Sequence, residues 1–146
     1  GCKGMVAGQV SDVQSEGKSV SNEMLDYINE RKTGAMIVGA IQAGGYIGGA
    51  DEKSIDDLTR YAENIGLAFQ IRDDILDVIG DEKQLGKNIG SDKRQDKSTY
   101  VTVHGLRYSE EKLAKITNKA IEFMRKYGDR GKFFMYLAEK LALRKS

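Results

Sequence analysis

Apolar residues recur at helical spacing along most of the chain, and the stretches between them are short, polar or rich in glycine. The first such run predicts a helix from about Gly4 to Ser15, with no start signal ahead of it. Ser21 is placed as the N-cap of a second helix with Glu23 in its first turn. Met24, Leu25, Ile28, Ala35, Met36, Val38 and Ile41 carry that helix to about Ala43. A third opens at Ser54, with Asp57 in a position like that of a capping box, and stops near Gly80. The segment "GDEKQLGKNIGSDKRQDKSTY" then has no sustained period, and aperiodic loops of that length are usually functional or disordered. Ser109 is read as the cap of another helix to about Tyr127, with Glu110 and Glu111 suiting its positive end. After the turn "YGDRG" a last helix runs through "KFFMYLAEKLALRKS". Neither strand-period alternation nor an internal repeat is visible, so the expected class is all-α within one domain.

Composition sharpens this picture. At an average usage of ~5% about seven prolines would be expected. The chain has none, against 17 glycines, which fits long helices joined by glycine turns. The uncharged run "GAMIVGAIQAGGYIGGA", Gly34 to Ala50, is at the short limit for a membrane span and is diluted by Gln42 and its glycines. A buried core helix followed by a glycine-rich turn explains it better, so the chain is not read as transmembrane. A net charge of +1 gives no sign of a nucleic-acid partner. The single cysteine, Cys2, excludes a disulfide framework, and no cysteine–histidine spacing suggests zinc. With no signal peptide in view, these features point to a cytoplasmic setting.

Candidate chemistry concentrates in "IGLAFQIRDDILDVIGD". On a helical wheel Gly66, Gln70, Asp73 and Asp77 share a narrow stripe, and Asp74 lies about 80° away from it. Most acidic helix faces are merely solvated. Such a face would normally use glutamate and lysine, however, and like charges at i,i+4 repel by about 0.2–0.5 kcal/mol. Short carboxylates at this spacing also suit a hard divalent cation, since magnesium needs only one or two, with water and phosphate oxygens completing its octahedron. The spacing alone leaves both readings open. Lys32 in "ERKTGAM", at the edge of an apolar helix, must reach solvent or find an anion. Lys87, between glycines in "LGKNIG", is either a surface lysine or, with Asp-bound magnesium, part of a diphosphate cradle.

Five separated motifs, "GMVAGQVSD", "ERKTGAM", "YAENIGLAFQIRDDILDVIGD", "LGKNIGSD" and "KSTY", stand in the order and approximate spacing of the trans-prenyl diphosphate synthases. The chain thus resembles the farnesyl and geranylgeranyl diphosphate synthase type from about Gly4 to Leu106, and "FQIRDDILDV" resembles that family's second aspartate-rich motif. The resemblance implies an isoprenoid-synthase helical bundle and a magnesium-dependent condensation of an allylic diphosphate with isopentenyl diphosphate. It makes Asp73 the principal Mg2+ ligand, supported by Asp77 and Asp74. Lys32 and Lys87 would contact the allylic diphosphate, and Lys97 is a weaker candidate for the same. Thr33 and Gln70 would line the place where the carbocation forms. Gln9 and Asp12 match the family's "GQxxD" element beside that cavity. The basic end, Arg144 and Lys145, either reaches over the pocket or simply suits the negative end of the last helix. His104 stands alone and is read as a loop or helix-start residue.

The family's first aspartate-rich motif and its upstream basic residues have no counterpart here. Asp56 and Asp57 are read as helix caps. Residues 1–146 are therefore expected to be the C-terminal portion of one synthase domain lacking its N-terminal half. Such a chain would be inactive alone and prone to self-association through uncovered apolar faces, whereas the complete enzyme would be a homodimer. The alternative is a non-catalytic helical partner subunit or interaction module that retains the motif.

Overall fold

The fold was analysed in a computed structural model that describes residues 1–85 and 98–145, with side chains as far as residue 80 in the first of these spans. Seven α-helices run in chain order: α1 (Met5–Gln14), α2 (Asn22–Asn29), α3 (Ala35–Ile47), α4 (Glu52–Leu85), α5 (Tyr100–His104), α6 (Leu106–Arg125) and α7 (Lys132–Leu143). A π-helical turn, Glu30–Gly34, joins α2 to α3, and a 3-10 turn, Gly128–Gly131, precedes α7. No strand occurs among the described residues, so the all-α expectation holds.

The long helix α4 is the axis of the molecule. Its apolar arc feeds two clusters. Ala68, Ile71 and Ile75 pack with Leu25, Tyr100, Leu113 and Ile116, while Tyr61 and Ile65 pack with Ala120, Met124 and Ala138. The predicted apolar arc of this helix is thus the core-forming face. Tyr61 is fully buried and satisfies its hydroxyl by donating to the Phe134 carbonyl at 2.7 Å, tying α4 to α7.

Several boundaries differ from the sequence reading, each for a local reason. Ser21 does cap α2, accepting from the Met24 amide. Ser54 does not cap α4; Asp51, three residues earlier, accepts from the Ser54 amide at 2.8 Å, and the helix begins at Glu52. Ser109 lies inside α6, with its hydroxyl donating back to the Gly105 carbonyl at 3.0 Å. The break before α6 is made by Gly105 at φ +84°, where a side chain would be strained. The short α5 was not foreseen. It begins at a capping box between Thr99 and Thr102, and its last residue, His104, stacks between Tyr100 and Tyr108. Helix α4 passes through Gly80 and continues to Leu85.

Two expectations of burial are also corrected. The apolar helix α3 contributes no buried residue; Met36, Tyr46 and Ile47 are exposed. Its composition suited a core, but the described elements cover only one side of it, chiefly through α4. Asp57 is not a cap. It is buried in α4 and accepts from the Tyr127 hydroxyl at 2.6 Å while pairing with the Lys126 ammonium at 2.6 Å. No helix among the described residues is long and apolar enough to cross a membrane.

Candidate functional site

Glycine contacts bring three elements together around the π turn. A Cβ on Gly8 of α1 would lie 2.2 Å from the Lys32 backbone nitrogen, and one on Gly66 of α4 would lie 3.0 Å from Cα of Gly34. Only residues without side chains allow the turn to sit that deeply between the two helices. The turn itself departs from α geometry by one hydrogen-bond step, a distortion often found at functional sites. It carries Lys32 and Thr33, two of the sequence-predicted residues, toward α4.

Beside the turn lies a partly open cavity of about 40 Å³ whose lining mixes polar residues, among them Asp12, Asn29, Lys32, Gln70 and Asp74, with the apolar Leu25 and Ile28. Lys32 extends its ammonium to Asp12 at 2.5 Å. The Thr33 hydroxyl donates to Gln70 Oε1 at 3.2 Å, and Gln70 Nε2 donates to Asp74 Oδ1 at 3.1 Å. The Tyr100 amide completes the chain by donating to Asp74 Oδ2 at 2.9 Å. Four predicted residues, Asp12, Lys32, Gln70 and Asp74, thus line one cavity, with Thr33 bonded to it. Gln9 is not brought in; it is exposed on α1. Lys87 and Lys97 lie outside the described residues.

The aspartates separate into two environments. Asp74 is buried, and both of its oxygens accept hydrogen bonds. Burial pushes its carboxyl above the ordinary range, partly offset by the Tyr100 amide and Gln70, while Asp73 and Asp77 push it up further. Asp77 is exposed. Asp73 is partly buried and paired with Arg144, whose guanidinium stacks 4.0 Å from the Phe69 ring centroid. No cluster of three or more histidine, cysteine, aspartate or glutamate residues converges among the described residues. Asp73 and Asp77 are carboxylates one turn apart, and Asp73 already holds a cationic group. That donor set fits magnesium, which takes one or two carboxylates and keeps its other positions for water and phosphate.

Sequence reasoning missed Asn29 and Arg72. Asn29 is buried at the cavity wall, and its Nδ2 has no partner among the described residues. Arg72 fixes the end of α7 by donating from Nε and Nη2 to the Arg144 carbonyl at 2.9 and 2.6 Å. Nothing in the local pattern marks either, because each is defined by a neighbour distant in the chain.

The chain is similar to known proteins in both sequence and fold. The polyprenyl synthetase profile matches residues 2–134, beyond the motif-bearing region and into α7. A farnesyl diphosphate synthase of Geobacillus stearothermophilus is 42% identical over 99% of the chain, and the matched region is 48% of that protein. Among solved structures, a geranylgeranyl pyrophosphate synthetase from Pyrococcus horikoshii superposes with a TM-score of 0.82 at 28% identity, covering 96% of this chain and 55% of that one. A geranyltransferase from Helicobacter pylori, solved in complex with magnesium and isoprenyl diphosphate, gives 0.76 at 27% identity, covering 97% and 46%. The chain thus spans about half the length of the relatives it matches. With a profile match over nearly its whole length and a relative of this identity, the chain belongs to the polyprenyl synthetase family.

Proposed function

We propose that this chain carries the second aspartate-rich, magnesium–diphosphate half of a trans-prenyltransferase that condenses an allylic diphosphate with isopentenyl diphosphate. The observation that carries the reading is that one helix, α4, presents both Asp73, a carboxylate already holding a cationic group, and Gln70, which accepts a hydrogen bond from Thr33 of the Lys32–Thr33 turn. The Helicobacter relative binds magnesium and isoprenyl diphosphate, which supports the same ligand chemistry here.

In this reading Asp73 and Asp77, with Asp74 in support, would hold Mg2+, which would supply the positive charge that makes the diphosphate a good leaving group. Lys32 turns its ammonium from Asp12 to the allylic diphosphate, assisted by Lys87 and more weakly by Lys97, and stabilises the charge that builds on the leaving group. Thr33 and Gln70, already hydrogen-bonded to one another, line the place of the allylic cation with oxygens whose dipoles favour positive charge there. Asp12 holds Lys32 in place between turnovers, and Gln9 belongs to the rim of the site. Asp74 acts as a buried brace between Gln70 and Tyr100. The setting is cytoplasmic, the complete enzyme a homodimer, and residues 1–146 the C-terminal portion of its single domain, inactive alone.

A second reading is a non-catalytic helical partner subunit. The exposed apolar side chains of α1 and α3, Val6, Val10, Val13, Met36 and Ile47, favour it, since such a face suits contact with another polypeptide.

The deciding experiment is a calorimetric titration with inorganic pyrophosphate, with magnesium and again with a chelator, on the parent chain and on Asp73→Ala. Magnesium-dependent binding that Asp73→Ala abolishes, with helicity unchanged by circular dichroism, is the expected result. No binding by a helical parent chain favours the partner-subunit reading, and unchanged affinity in the variant removes Asp73 as a ligand.

A further inference from the structure

Arg144 is mounted on α4 at three points. Its carbonyl accepts two hydrogen bonds from Arg72 at 2.9 and 2.6 Å. Its guanidinium lies 4.0 Å over the ring of Phe69. Its Nη2 donates to Asp73 Oδ1 and, at 3.4 Å, to the Phe69 carbonyl. Phe69, Arg72 and Asp73 are spaced i, i+3 and i+4, so one stripe of α4 receives the whole residue. The side chain is 22% exposed and its Nε is buried with no partner among the described residues, so this is a seated group and not a loose surface arginine.

We propose that Arg144 is a tethered counter-ion of Asp73 that occupies the cation position in the metal-free chain, so that divalent-cation binding and seating of the Arg144 guanidinium on Asp73 are mutually exclusive. The inference rests on the reading of Asp73 as a cation ligand. A guanidinium on one carboxylate oxygen leaves the other free, but a divalent cation beside it would meet both a shared ligand and a like charge a few ångströms away. The cation therefore displaces the guanidinium. Because the Arg144 carbonyl is anchored through Arg72, departure of the side chain loosens the end of α7 without requiring α4 to move. The arrangement has two consequences. It keeps Asp73 compensated before the metal arrives, and it sets the metal affinity lower than the two aspartates alone would give.

The test uses manganese(II) as an EPR-visible probe, titrated into the full chain with inorganic pyrophosphate present. Arg144→Gln is expected to bind Mn2+ about tenfold more tightly, the equivalent of one partly screened charge contact. Hydrogen exchange at residues 142–145 of the parent chain is expected to accelerate on addition of Mn2+. Unchanged or weaker binding by Arg144→Gln, or exchange that does not change with metal, overturns the proposal. Asp73→Asn separates the two levels. If it binds Mn2+ as well as the parent, the ligand reading of Asp73 fails. If it loses binding while Arg144→Gln gains nothing, only the counter-ion role fails.

Discussion

The ammonium of Lys32 sits 2.5 Å from a carboxylate oxygen of Asp12, twenty residues earlier in the chain, at the wall of a partly open cavity. The lysine is held short of solvent yet remains about a third exposed, so it can exchange one anionic partner for another. A charge-assisted hydrogen bond is worth about 1.5–3 kcal/mol. Lys32→Met is therefore expected to weaken magnesium–pyrophosphate binding about tenfold or more, at 1.4 kcal/mol per factor of ten. Calorimetry on the folded variant checks this; an unchanged affinity would confine Lys32 to its pair with Asp12.

Gly8 and Gly66 grip the π turn from opposite sides, but not equally. The added methyl of Gly8→Ala would lie 2.2 Å from backbone, which cannot rotate away, whereas that of Gly66→Ala would lie 3.0 Å from a single Cα. Overpacking typically costs about 1–3 kcal/mol. Gly66→Ala is expected within that range and Gly8→Ala above it, in urea unfolding followed by circular dichroism. Equal costs would mean that α1 yields more easily than its contact implies.

Asp57 gives the fold an acid-sensitive tie. Burial pushes its carboxyl up, but hydrogen bonds from Lys126 and Tyr127 outweigh burial and hold it below the ordinary range. Because the folded value is depressed, the stabilisation is present above the ordinary carboxylate value of about 3.9 and is lost as pH falls through the folded value. Asp57→Asn is expected to lower stability at pH 7 by about 1–3 kcal/mol. The gap between variant and parent should narrow as the pH falls below the ordinary carboxylate value of about 3.9, as thermal melts across that range would show. A gap that is constant with pH would assign the loss to packing instead of charge.

The sequence made the long helices legible because α4 repeats its apolar residues at a spacing only a helix can bury, and Ile65, Ala68, Ile71 and Ile75 are all in the core. Caps were less legible. Ser21, Ser54 and Ser109 look alike in sequence, and only the first lies where the chain turns into a helix. The narrow stripe of Gly66, Gln70, Asp73 and Asp77 was visible, as was the offset of Asp74, but not what each would meet. Gly66 meets Gly34, Gln70 meets Thr33, and Asp73 meets Arg144 from the far end of the chain. Hydropathy likewise recorded the apolar character of α3 but not whether anything lies on it, because coverage is a property of the partner surface.

The π turn at Glu30–Gly34 gives this region an unusual response to a change in length. Such a turn closes i→i+5 instead of i→i+4, so it absorbs one residue more than an α-helix of the same rise. Removing one residue within it would let α2 and α3 fuse into a continuous α-helix, keeping their hydrogen bonding and their places in the fold. The side chains just ahead of the cut would then swing about 100° around the axis relative to those after it. Most single-residue deletions in a helix misplace an entire downstream face. Here the surplus residue is the feature that aims Lys32 and Thr33, so a shorter turn would leave a sound helix and an unaimed site.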